Sequence, residues 1–277
     1  MSDKLIRALG ANEEFVVSAF VSTKVVETAR KLHNDSPVSI SFLGELLTAG
    51  ALIGDTLKGE KSLLTLELQG SGDLRKVTVT CDSHGNVKGF SLNPEAKEGI
   101  GRGDLILIKD EGLRTPYNSV IPLVEGNVAL SLNSYYNQSA QLPTFFLLGV
   151  KLDGSKVAYS FGYMVQALPF AKAEILTRIL ENLGKNQDVG AILQKEPTSE
   201  ELIDSLLEGL SQKKTSEREV RFHCDCSYER GLDLLKQTGK QELNSMLKDG
   251  KPIHVTCGFC GKSYDYPVEA IAKLLKD

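Results

Sequence analysis

Along the first 170 residues, short apolar runs change period repeatedly. "EEFVVSAFVS" is rich in β-branched and aromatic residues and reads as a strand. In "TKVVETARKL", Val25, Val26, Ala29 and Leu32 recur at helical spacing, with Ser22 or Thr23 available as N-cap. "SFLGELLTAGALIGDTLKG" predicts a second, well-buried helix ending near Gly59. "SLLTLELQG" and "LRKVTVTCD" alternate with period two around the turn "GSGD". A hairpin turn in "DSHGNVKGFSL" leads to another strand, and "DLILIKD", "NSVIPLVEG" and "TFFLLGVKLDGSKVAYSFGYMVQAL" continue the sheet. The pattern predicts an α+β fold with a mixed, largely antiparallel sheet and packing helices.

Beyond Pro169 the period becomes helical. In "AKAEILTRILENLG", Ile175, Leu176, Ile179, Leu180 and Leu183 form one apolar stripe. "PTSEELIDSLLEGL" predicts another helix, in which Thr198 and Glu201 have capping-box spacing. Residues 211–219, "SQKKTSERE", contain no apolar side chain, which predicts a mobile or weakly docked tether. The expected organisation is a core domain at 1–180, a helical, partly flexible linker at 181–219 and a small domain at 220–277. In the last, "SYERGLDLLKQTG" and "KQELNSMLKDG" predict helices, the second closed by Gly250. "PIHVTC" and "KSYDYP" predict strands around the turn "GFCG", before a terminal helix "VEAIAKLL" that Pro267 opens. A unit of under about 60 residues needs a staple beyond its apolar core.

The candidate staple is chemical. Of five cysteines in 277 residues, four fall in this segment as two pairs, Cys224-x-Cys226 and Cys257-x-x-Cys260. Residues i and i+2 of an extended segment face the same way, so Cys224 and Cys226 can share one ion. Gly258 and Gly261 allow the backbone to wrap round the second pair. Two thiol pairs in a reducing compartment point to a tetrahedral Cys₄ zinc site. Released from the metal, Cys224 and Cys226 can oxidise to each other in a small strained ring, and Cys257 to Cys260. Spacing leaves both a structural site and a redox switch open, and by itself favours the structural one.

Other chemistry is thinner. His223 and His254 flank the cysteines, but four sulfurs already fill a tetrahedron. Cys81, at period two in "VTVTC", reads as an inert buried thiol. "GIGRGD", residues 99–104, lacks the GxGxxG order and reads as a turn. No constellation for an enzyme stands out. The net charge of −4 and pI near 5.7 argue against nucleic acid as main partner. The N-terminus shows no signal-peptide pattern and no run of about 18 apolar residues is seen, so no membrane partner and a cytoplasmic location are expected.

"VRFHCDCSYERGLDLLKQTGKQELNSMLKDGKPIHVTCGFCGKSYDY" closely resembles the C-terminal zinc-binding region of the 33-kDa heat-shock protein family, redox-regulated holdase chaperones. "FLGELLTAGALIGDTLKGE", "LELQGSGDLRKVTVTCDSHGNVKGF", "GRGDLILIKD" and "QALP" extend the resemblance over nearly the whole chain. It implies that the reduced protein is inactive and holds one Zn²⁺ through Cys224, Cys226, Cys257 and Cys260. It implies that oxidation forms the disulfides Cys224–Cys226 and Cys257–Cys260, releases zinc, and unfolds the zinc domain and linker. The exposed apolar surface would then bind unfolding client proteins without ATP, as a homodimer, with no enzymatic activity. The chain departs from the family pattern at Ser139-Ala140-Gln141, where Ser-Glu-Gln is usual, and at Phe161-Gly162, where Gly-Gly is usual. Two other functions compete: a zinc-ribbon nucleic-acid-binding module, and a thiol-disulfide oxidoreductase using Cys257 and Cys260.

Overall fold

The computed structural model describes residues 3–248 and 250–275. They divide into two compact units, residues 1–223 and 224–277.

In the first unit, strands β1 (Asp3–Gly10) and β2 (Phe15–Val21) precede helices α1 (Thr23–His33) and α2 (Pro37–Gly54). Ser22 is the N-cap of α1 but makes no side-chain capping bond, whereas the Ser36 hydroxyl accepts from Ser39 N at the start of α2. β3 (Leu63–Gly70), β4 (Lys76–Asp82), β5 (Asn86–Ser91), β6 (Gly103–Asp110) and β7 (Tyr117–Pro122) form an antiparallel run. Helix α3 (Val128–Ser134) runs into a π-helical turn at Tyr135–Ser139, and β8 (Thr144–Asp153) pairs with β9 (Lys156–Ala167). Helices α4 (Ala173–Lys185), α5 (Val189–Lys195) and α6 (Ser199–Leu206) follow, then strand β10 (Gln212–Phe222). The sheet has ten strands in the order β7-β6-β3-β4-β5-β10-β1-β2-β9-β8. All neighbours are antiparallel except β5 and β10. The expected α+β class is therefore the observed one.

Two apolar layers flank this sheet. On one face, α2 buries Ile40, Leu43, Leu46, Leu47, Leu52 and Ile53 against Leu64, Leu66, Val77 and Val79. By length and composition α2 could cross a membrane, which the sequence reading did not anticipate. Of that stretch 72% is buried inside the fold, as befits a core helix. On the other face, α4, α5 and α6 cover Ile6, Ala8, Phe15, Val17, Ala19, Tyr163 and Val165 with Ile179, Leu183, Ile192, Leu202 and Ile203. β2 is thus buried on both faces, which explains why "FVVSAFV" runs apolar rather than alternating. Of the predicted stripe on α4, Leu180 points outward and is exposed. The capping box of α6 forms as predicted, with Thr198 Oγ1 accepting from Glu201 N and Glu201 Oε2 accepting from Thr198 N.

The expected tether at 211–219 is a correction. Residues 212–222 are strand, paired with β1 over its whole length. The composition misleads because the strand is held by main-chain bonds and ion pairs while its side chains stay exposed; Val220 alone is buried. β1, α3 and α5 were not foreseen either.

The departure at Phe161 is accommodated locally. Phe161 is fully buried and stacks on Tyr159, ring centroids 5.8 Å apart. It lies opposite Gly149 in the β8–β9 register, and a Cβ at Gly149 would stand 2.8 Å from its ring. Gly162 is equally confined, since a Cβ there would meet Thr48 Cγ2 at 2.6 Å. Ala140 packs partly buried against the α2 core.

In the second unit, α7 (Tyr228–Gln237) and α8 (Lys240–Lys248) precede the hairpin β11 (Ile253–Thr256) and β12 (Ser263–Tyr266), then α9 (Val268–Leu274). Gly250 takes φ +62°, the left-handed conformation expected after a helix end. Among the described residues the buried core is Leu235, Leu243, Tyr266 and Ile271. Tyr266 is its keystone: its ring lies 4.6 Å from that of Tyr228, and its hydroxyl donates to the Tyr228 carbonyl at 3.1 Å.

Candidate metal centre

The four predicted cysteines converge. Cys224 and Cys226 lie on the extended segment before α7; Cys257 and Cys260 lie in the turn between β11 and β12. All four sulfurs fall within 4.8 Å of one another and could hold a metal ion. The Sγ–Sγ distances are 3.6 Å for Cys224–Cys257 and 3.4 Å for Cys226–Cys260, and all four are free thiols. A tetrahedron with Zn–S bonds of about 2.3 Å has edges of about 3.8 Å, so an ion can be seated with shifts of about 1 Å or less. Four soft sulfurs with no oxygen ligand suit zinc far better than magnesium or calcium.

Local geometry explains the convergence. Gly261, at φ +70°, donates to the Cys257 carbonyl at 2.8 Å, and Cys257 N donates to the Lys262 carbonyl at 2.9 Å. These bonds fold the second pair into a tight knuckle. Main-chain donors also reach the sulfurs, from Cys226 to Cys224 and from Lys262 to Cys260. The Ser227 hydroxyl accepts from Arg230 N and caps α7 directly after the first pair, while the Arg230 guanidinium grips the Asp225 carboxylate between the two cysteines.

The electrostatics are uneven. Burial pushes the Cys224 and Cys260 thiols up, and donating to neighbouring sulfurs adds to the rise. For Cys226 burial acts in the same upward sense but is outweighed by bonds from the Tyr264 hydroxyl and the other thiols, which bring it down to about 7. The Tyr264 hydroxyl lies 3.4 Å from Cys226 Sγ and donates to the Cys226 carbonyl at 3.0 Å. Sequence reasoning missed Tyr264, although its period-two placement with Tyr266 in "SYDY" puts both tyrosines on one face of β12. His254 turns away from the sulfurs to Asp265, Nδ1 to Oδ1 2.6 Å. His223 is held in the other unit by its main-chain N–H, which donates to the Val87 carbonyl at 2.9 Å. Cys81 is fully buried against α2, and burial raises its thiol far above the ordinary range, as an inert core residue requires. Residues 99–102 are an irregular segment with a bend at Arg102 instead of the expected turn, and Gly103 and Asp104 already belong to β6.

Sequence and structure comparisons agree on one family. The profile described as "Hsp33 protein" matches residues 3–267, nearly the whole chain and all four cysteines. The chain belongs to the Hsp33 family. A relative from Agathobacter rectalis, named "33 kDa chaperonin", is 36% identical, with 99% of this chain and 100% of the relative covered. A protein of the same name from Clostridioides difficile is 34% identical over the full length of both. A crystal structure of the 33 kDa chaperonin (heat shock protein 33 homolog) of Thermotoga maritima superposes with a TM-score of 0.88 at 28% identity, covering 100% of this chain and 98% of that one. Hsp33 is a chaperone family rather than an enzyme family, and chaperones act by binding client proteins.

Proposed function

We propose that this Hsp33 chain is a redox-switched, ATP-independent holdase. In the reduced state Cys224, Cys226, Cys257 and Cys260 hold one Zn²⁺ and the protein is inactive. The observation that carries this reading is the meeting of four sulfurs within 4.8 Å inside a unit whose described buried core is four side chains. Bound zinc supplies about 10–16 kcal/mol to small metal-dependent folds and keeps its thiolates deprotonated and nucleophilic. So small a core cannot replace that contribution.

Oxidation joins Cys224 to Cys226 and Cys257 to Cys260. Each thiolate pair gives up two electrons as its disulfide forms, so two molecules of hydrogen peroxide take four electrons from the sulfurs and four protons from solvent and leave as four waters. The sulfurs then no longer form a ligand set, and residues 224–275 lose their staple. The linker at 181–219 unfolds with them. Helices α4–α6 lift from Ile6, Val17, Tyr163 and Val165, opening an apolar face to clients on the 1–180 core. The active form is a homodimer and the setting is the cytoplasm, where thiols are kept reduced until stress.

Neither competing function draws comparable support. Cys257 and Cys260 sit in a hairpin turn rather than at the start of a helix, unlike a thioredoxin-type pair. The acidic charge balance disfavours a nucleic-acid module. Peroxide treatment at raised temperature tests the proposal: about one zinc per chain should be released, and the product should suppress aggregation of a denatured client. Zinc loss without suppression would sink the switch while sparing the metal site.

A further inference from the structure

Polar, charged strands belong at the rim of a sheet, where they deter unwanted pairing. β10 breaks that rule. It stands between β5 and β1 in the ten-strand order, yet residues 212–215, Glu217, Glu219 and Arg221 are exposed. Its grip is mainly main-chain: antiparallel to β1 from Asp3 to Gly10, with a bulge at Thr215, and parallel to β5 through Arg221 and Phe222. Lys4 and Lys214 both pair with Glu217, and Lys213 Nζ lies 3.3 Å from Glu13, all on the surface. A buried anchor adds to these: Arg218 Nε lies 3.4 Å from Asp55, whose carboxylate is 3% exposed.

The edge beneath β10 is different in kind. β1 buries Leu5 in the α2 layer and Ile6 and Ala8 in the layer under α4–α6. β10 therefore occupies an eight-residue backbone slot bordered by apolar side chains, while contributing almost none itself.

We propose that this slot is a client-binding site: when β10 withdraws, an extended segment of an unfolding protein adds to β1 as a strand in its place. The inference rests on the proposed switch, in which oxidation melts the segment preceding Cys224. Recognition is by main-chain N–H and C=O groups, which every polypeptide carries, so the slot accepts unrelated sequences. It favours segments with apolar residues at alternate positions, because one face of the incoming strand lands beside Ile6, Ala8 and Val17. β10 acts as a removable placeholder that satisfies the edge with its backbone and leaves the apolar contacts to the client.

The test uses the full-length chain oxidised with peroxide. It is titrated with a fluorescent Val/Thr-alternating peptide and with the same peptide N-methylated at alternate residues, which removes donors but keeps the side chains. The unmethylated peptide should bind about tenfold more tightly, the equivalent of one or two lost hydrogen bonds. Hydrogen exchange should show residues 212–222 losing protection on oxidation and residues 3–10 regaining it with peptide. Equal affinity for both peptides, unchanged exchange at 3–10, or retained protection at 212–222 would each overturn the slot. Zinc release and aggregation suppression on the same sample judge the switch separately. If both occur while the peptides bind equally, the slot alone fails. If neither occurs, the switch fails and the slot falls with it.

Discussion

The two units of this chain hold themselves together by different means. Residues 1–223 stack a ten-stranded sheet between two apolar layers, and α2 alone buries most of its 18 residues. Residues 224–277 bury four side chains in the described structure and gather four sulfurs instead. An apolar core is distributed, so no single chemical event removes it. A thiolate cluster concentrates stability at one point that an oxidant or a chelator can reach. If the sulfurs hold zinc as proposed, the contrast teaches where a protein can place a breakable element: in a unit too small to survive its loss, joined to one that does.

The sharpest way to break this contrast is Cys260→Ser. The second unit should lose its fold, read as unfolded-like amide exchange over residues 228–248 and 253–274, while the first unit keeps its thermal transition. If the second unit stays protected, its four-residue core is sufficient and the contrast is wrong. Leu46→Ala, fully buried in α2, should cost about 2–5 kcal/mol in denaturant unfolding of the first unit and leave metal stoichiometry unchanged. Thr198→Ala removes the capping box of α6 and should cost about 1 kcal/mol, seen as faster exchange in α6.

The smallest effect is electrostatic. Glu27 is held at about 2, chiefly because Arg30 donates to both its oxygens at 2.8 and 2.9 Å; burial opposes this, and the Val157 amide supports it at 3.0 Å. The unfolded carboxyl protonates near 4.5, so the stabilisation is complete above that pH and is lost as pH falls towards 2. Glu27→Gln should therefore flatten the acid limb of first-unit stability between those values while leaving the metal affinity of the second unit unmoved. An acid limb identical to that of the parent would refute the assignment.

How much of this was legible in the sequence follows the same division. The meeting of the four cysteines was readable because the pairs are written in residue type and spacing. The period-two and helical runs that bury one face were readable too, from β3 and β4 to α4 and α6. What escaped were elements whose apolar signal is diluted. β1, "DKLIRALG", mixes charges into a strand buried on both sides. α3 is short and leans on Asn127, whose side chain caps it by accepting from Leu130 N. β10 was misread because hydropathy reports side chains, and this strand is held by its backbone. Tyr264 escaped because its partner Cys226 lies 38 residues away.

The wiring of the sulfurs carries one more consequence. The nearest contacts, Cys224 with Cys257 and Cys226 with Cys260, bridge 33 and 34 residues. A crosslink along either contact would close a long loop and rivet the two knuckles together, each by itself stabilising the unit by about 3–4 kcal/mol. Bonds between sequence neighbours enclose only a few residues and leave the knuckles unconnected, so the same four atoms can be wired as a rivet or as a fuse. The pairing proposed above, between sequence neighbours, makes the fuse, so that stress lets this unit come apart instead of locking it shut.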